Sequence, residues 1–137
     1  MMHSNKGAAQ YRSVSSHGLV ADASPTRLVQ IMFEHVLTNL ATAQGCMARI
    51  KDNRPFTEVT QKLNAMRRAI QLIGQLNQTL DMERGGQIAE RLRSLYDYML
   101  IRLTHANAYN DTRIVEEVVK LVREIKLGWD GIVTDAR

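Results

Sequence analysis

Leu80-Asp81-Met82-Glu83-Arg84-Gly85-Gly86-Gln87-Ile88-Ala89-Glu90-Arg91-Leu92 sets a glycine pair inside an otherwise helical pattern. Glycine adopts left-handed backbone conformations freely, so Gly85-Gly86 is expected to end or kink one helix and to set the start of the next. From Gln87 onward, Ile88, Leu92, Leu95, Met99, Leu103 and Ala106 recur at helical spacing and define one face, which Tyr96 and Leu100 extend. Tyr98 and Ile101 fall on the opposite side. One buried stripe does not need them.

Upstream, the spacing predicts a helix that begins near Phe56-Thr57-Glu58. Val59, Leu63, Met66, Ile70, Ile73 and Leu80 make a first stripe, broken at Asn77, and Ala65, Ala69, Leu72 and Leu76 make a second beside it. A surface helix in a small bundle needs only one. The second stripe therefore means either central packing, which the bundle favours, or an exposed apolar face. Before it, Ser24-Pro25 reads as a helix start: serine caps, and proline's missing N–H costs nothing at the first helical position. Leu28, Val29, Met32, Val36, Leu40, Ala43 and Met47 then recur at helical spacing, and Ile31, Phe33 and Leu37 widen the arc. Gly45 is read as a mark of close packing. Asp52-Asn53-Arg54-Pro55 ends this helix.

Downstream, Asn107-Ala108-Tyr109-Asn110-Asp111 forms a polar turn with a cap at Asp111. The last helix carries Ile114, Val115, Val118, Leu121, Val122, Ile125 and Trp129, with a Glu116–Lys120 pair outside worth a few tenths of a kcal/mol. Short connections between consecutive long helices imply antiparallel neighbours. The expected fold is all-α: an up-down antiparallel four-helix bundle over residues 24–131, a flexible N-terminal arm over 1–23 and a short tail over 132–137. The arm is rich in Ser, Gly, Gln and His and cannot offset its ordering entropy alone. It is either a frayed tail or a displaceable segment whose Tyr11 and Val14 lie in a groove of the body.

With 137 residues, 45% hydrophobic and 23% charged, the chain is one globular domain with a real core rather than a disordered segment. Its single cysteine, Cys46, excludes an internal disulfide and fits a reducing compartment. No run reaches membrane-spanning length, so no direct membrane insertion is expected, and the N-terminus lacks a secretory h-region. A cytoplasmic location follows. The net charge of +4 is spread over scattered arginines, without a basic run or basic–aromatic motif. A basic helical nucleic-acid-binding or regulatory module stands as the alternative, with no nucleic acid as the primary expectation.

Catalysis finds no footing. A carboxylate-bridged metal pair wants Glu-x-x-His motifs on two helices, and no histidine follows any glutamate from Glu34 through Glu124 at that spacing. His35 and His105 read as surface or partly packed, and His3 and His17 lie in the arm. Nothing local depresses the pKa of Cys46, which reads as a small, at least half-buried side chain. Asp81, Glu83, Glu90 and Asp97 spread over several turns as a charged surface. Glu83-Arg84-Gly85-Gly86-Gln87 lacks the lysine and Ser/Thr of a phosphate loop. The expectation is no enzyme, no cofactor and no metal.

Leu80-Asp81-Met82-Glu83-x-Gly85-Gly86-x-Ile88-Ala89, then Leu92-x-x-Leu95-Tyr96-Asp97-Tyr98-Met99 and Leu103-x-x-Ala106-Asn107, resembles the flagellin-specific export chaperone family, FliS. The resemblance extends to Ala23-Ser24-Pro25 with Leu28, to Tyr11 and to Trp129, with Arg91 standing where the family usually has asparagine. It implies a helical bundle that binds the disordered C-terminal segment of flagellin in apolar grooves, prevents its premature polymerisation and assists delivery to a membrane protein of the flagellar type III export gate. Such a chaperone should carry more apolar surface than its own core consumes. The candidate partner-binding residues are Ile31, Leu37, Leu72, Leu76, Tyr98 and Ile101 on the helices, with Tyr11 and Val14 in the arm.

Overall fold

A computed structural model describes residues 24–53 and 56–135. The expected arm, with Tyr11 and Val14, lies outside the described residues. Four helices follow in order: α1 (Pro25–Asn53), α2 (Phe56–Gln78), α3 (Met82–Tyr109) and α4 (Thr112–Asp135). No strand occurs among the described residues. The last helix runs past the 131 boundary expected for the bundle.

Helix α1 packs on α2 and α4, and α3 closes the ring by packing on the same two. Each helix thus has two neighbours. Cross-helix hydrogen bonds show the alternating directions. The start of α1 meets the end of α4, where Trp129 Nε1 donates to the Thr26 carbonyl at 2.9 Å. The end of α1 meets the start of α2, where Arg49 Nε donates to Glu58 at 2.7 Å. The start of α2 meets the end of α3, where Lys62 Nζ donates to the Asn107 carbonyl at 2.8 Å. The all-α four-helix bundle is the fold.

The local starts have identifiable causes. Ser24 Oγ accepts the Arg27 N–H at 3.2 Å, the cap that Ser24-Pro25 foretold. Asp111 Oδ1 accepts the Arg113 N–H at 3.0 Å and caps α4. Asn110, at φ 53° and ψ 43°, ends α3 in the left-handed conformation that asparagine tolerates.

The glycine pair kinks the chain, one of the two outcomes expected of it, at a point one turn inside α3. Helix α2 ends at Gln78, and Asp81 caps α3 by accepting the Arg84 N–H at 3.0 Å. Gly86, at φ 53° and ψ −129°, then breaks the helix after one turn, in a region closed to residues with a Cβ. Gly85 is required for another reason: a Cβ there would lie 2.6 Å from that of Ala89. Gly45 shows no such closeness, since an added Cβ meets only the Arg49 side chain, at 3.5 Å.

The core takes Leu28, Met32, Phe33, Val36, Leu40 and Met47 from α1, and Met66, Ala69, Leu72, Ile73 and Leu76 from α2. Helix α3 adds Tyr96, Met99, Leu103 and Ala106, and α4 adds Ile114, Val115, Val118, Val119 and Val122. Two phase assignments change. On α2 the buried face centres on the second stripe, so Leu63 is exposed and Lys62 is buried instead. On α3 the buried series runs through Ala89, while Ile88 is 72% exposed. Cys46 is fully buried, as read from the sequence, and burial pushes its thiol pKa up.

Candidate partner-binding surface

The two-neighbour geometry consumes part of the apolar excess. Leu72 and Leu76 are each 3% exposed and belong to the core, because α2 lies between α1 and α3. This corrects their assignment as groove residues: a partner cannot reach them without opening the bundle. Ile31 is likewise buried, since α1 lies between α2 and α4. Leu37 is half-buried and packs against the core.

Tyr98 and Ile101 stay on the surface, 41% and 70% exposed. Their off-stripe position in the sequence foretold this. Tyr98 forms one wall of an open hollow between α3 and α4, lined also by Leu95, Arg113, Glu116, Glu117, Lys120 and Leu121. Leu95 and Leu121, which the helical spacing places in the core stripes, are half-buried at the edges of those stripes. Their place on the shoulder of each stripe, next to charged residues on the same helix, was the available signal.

Polar contacts fix the Tyr98 wall. The Tyr98 hydroxyl donates to Glu117 Oε2 at 2.6 Å, and Arg102 Nε donates to Glu117 Oε1 at 3.0 Å. The Arg102 guanidinium also lies over the Tyr98 ring, 5.9 Å from its centroid. The hydrogen bond to Glu117 raises the Tyr98 pKa, because ionising the phenol would destroy the bond and set two anions together. The Tyr98 hydroxyl first, and Arg102 second, hold the Glu117 carboxyl below its usual range. Glu116 does not close a pair with Lys120; its Oε2 accepts from Gln44 Nε2 of α1 at 2.9 Å.

A second hollow lies between α1 and α2, lined by Thr38, Asn39, Thr42, Thr60, Gln61 and Arg68 among others, with Phe56 exposed at its end. Its Thr38 and Thr60 hydroxyls donate to the carbonyls four residues earlier, Glu34 and Phe56. The surface offered there is therefore largely neutral and already hydrogen-bonded to its own helices.

Among the described residues, no group of three or more His, Cys, Asp or Glu side chains could hold a metal ion. His35 is half-buried, and His105 is exposed and stacks on Tyr109 with centroids 4.6 Å apart. No helix among the described residues is long and apolar enough to cross a membrane.

Residues 7–136 match the family model described as flagellar protein FliS. A Pseudomonas aeruginosa protein named flagellar secretion chaperone FliSB is 42% identical over 131 residues, covering 96% of this chain and 98% of its own length. Proteins named flagellar secretion chaperone FliS from Vibrio cholerae and Salmonella typhimurium are each 35% identical, over 93% and 96% of this chain and 89% and 93% of their own lengths.

Proposed function

Because this chain belongs to the FliS family of flagellar proteins, we propose that it is a cytoplasmic export chaperone for flagellin. In this reading it binds the C-terminal segment of flagellin, keeps that segment from polymerising, and assists its delivery to a membrane protein of the flagellar type III export gate. The supporting observation is the apolar side of the α3–α4 hollow, formed by Tyr98 with the half-buried Leu95 and Leu121, together with exposed Ile101 on α3. A segment that is disordered alone and amphipathic when helical gains its binding energy by laying apolar side chains into such surfaces. Tyr11 and Val14 of the arm are proposed to cover a groove or to meet the gate.

Mixing the purified chain with full-length flagellin, and with flagellin lacking its C-terminal segment, tests this reading. The expected result is a stoichiometric complex on size exclusion with the first and none with the second. Equal binding to both overturns the C-terminal assignment. Binding to neither overturns the chaperone reading.

A further inference from the structure

The α3–α4 hollow joins an apolar floor to a rim whose acidic and basic groups are unequally occupied. Both carboxylate oxygens of Glu117 are engaged, by Tyr98 and Arg102. Glu116 is drawn toward α1 by Gln44. The bases face outward: Arg113 makes only a 3.7 Å contact with Asp111 and keeps its side chain 93% exposed. Lys120 is exposed and has no hydrogen-bond or ion-pair partner among the described residues. What the rim offers an incoming chain is thus N–H donors, while its acceptors are largely in use. Arg113 and Lys120 are seven positions apart, which sets them on one face of α4 at about 10 Å along the axis.

We propose that the α3–α4 hollow takes an acidic amphipathic helix. Its apolar stripe lies on Leu95, Tyr98 and Leu121, and two of its carboxylates, about seven residues apart, pair with Arg113 and Lys120. The proposal rests on the chaperone reading and specifies which part of a client belongs at this site. The Glu117 contacts hold the Tyr98 ring in place before binding, so the wall need not be ordered by the client. An apolar floor is of no use to a phosphate backbone, which favours a peptide over nucleic acid. The outward-facing Arg113 and Lys120 would repel a basic helix, and the engaged carboxylates of Glu117 offer it little in return.

The test uses the full chain and its R113E/K120E and Y98A variants, each checked for folding by circular dichroism. Three probes are titrated calorimetrically: a flagellin C-terminal peptide, the same peptide with its acids changed to amides, and a 15-base-pair DNA duplex. The double reversal is expected to weaken the native peptide about tenfold and the amidated peptide much less, and to flatten the salt dependence of native-peptide binding. Y98A should weaken both peptides. If the native peptide binds the wild type and both variants with equal affinity, the client lies elsewhere: the chaperone reading stands and this placement falls. If the wild type binds neither peptide, the chaperone reading falls with it. DNA binding abolished by the reversal, or a concentration-dependent dimer lost in the variants, assigns the surface to another occupant and overturns the proposal.

Discussion

The Tyr98 hydroxyl and the Glu117 carboxylate are 2.6 Å apart across the seam between α3 and α4, with the phenol as donor. Arg102 occupies the other carboxylate oxygen, so one acid ties two α3 side chains to α4. These bonds depress the Glu117 pKa, and the folded state therefore binds fewer protons than the unfolded state in acid. The resulting stability is complete above the unfolded pKa and is lost as pH falls through the folded one. Asp130, held down by Lys126 and then by Gln30, acts in the same direction. Melting temperatures taken from neutral pH into acid should fall for the wild type. Glu117→Gln should begin lower and fall less steeply, with the Asp130 share remaining. An unchanged slope would refute the linkage.

The glycine pair allows a sharper test of backbone geometry. Gly86→Ala forces a Cβ into a φ/ψ region closed to it and should destabilise by roughly 1–3 kcal/mol. Gly85→Ala meets the Ala89 Cβ at 2.6 Å, a clash that the partner substitution Ala89→Gly removes. Ala89→Gly alone should cost about 1 kcal/mol as a helix-interior glycine. The double variant should then be more stable than the sum of the two single losses implies, read from denaturant midpoints. Strict additivity would show that the close approach is relieved by backbone movement.

Helix number, the Ser24 and Asp111 caps and the end of α1 were legible because they depend on local chemistry: capping side chains, proline and periodicity. Which apolar residues would be consumed was not, because it depends on how many neighbours each helix acquires. The ring buries two flanks of α1 and α2, and so took Ile31, Leu72 and Leu76 out of the candidate surface. Phase failed where a small or charged residue held the core position. Ala89 and Lys62 are buried beside the larger or more apolar Ile88 and Leu63, which are exposed. Tyr98 and Ile101 were readable as surface because they lie away from every stripe on α3.

Lys62 is the buried charge of the bundle among the described residues, its amine donating to the Asn107 carbonyl at the end of α3. A cation suits that end of a helix, but burial lowers the lysine pKa. The folded state thus releases the proton more readily than the unfolded state, and stability grows as pH rises through the folded pKa, until the unfolded lysine also titrates. Lys62→Met should remove this gain, visible as a smaller rise in melting temperature between about pH 8 and pH 10 than in the wild type. Lys62→Ala, which leaves the Asn107 carbonyl without this donor, should cost about 1–3 kcal/mol at neutral pH. Parallel pH profiles for wild type and Lys62→Met would contradict the assignment.

Trp129 closes the other end of the bundle. Its Nε1–H donates to the Thr26 carbonyl, and its ring meets Phe33 edge-on with centroids 6.4 Å apart. Trp129→Phe keeps an aromatic ring and loses the hydrogen bond, a loss of about 1 kcal/mol. Amide exchange should then accelerate in the first turns of α1 and the last turns of α4 while the centre of the bundle remains protected. Uniform acceleration throughout would mean that this contact supports the whole fold rather than its end.

Leu72 and Leu76 allow the packing role to be separated from the binding role. With both leucines in the core, replacing either by serine leaves a cavity and buries a hydroxyl, and should destabilise by about 3 kcal/mol or more. A loss of flagellin binding in such a variant would report unfolding, whereas Tyr98→Ala removes an exposed ring and should leave the melting temperature within a few degrees of the wild type. Chemical denaturation measured beside peptide affinity distinguishes the two. The expected pattern is a large fall in stability for Leu72→Ser and Leu76→Ser, with affinity retained in whatever fraction remains folded, and the reverse for Tyr98→Ala. If the serine variants kept wild-type stability yet lost affinity, the α2 stripe would be client surface, and the burial of these leucines in the free bundle would have to be undone by the client.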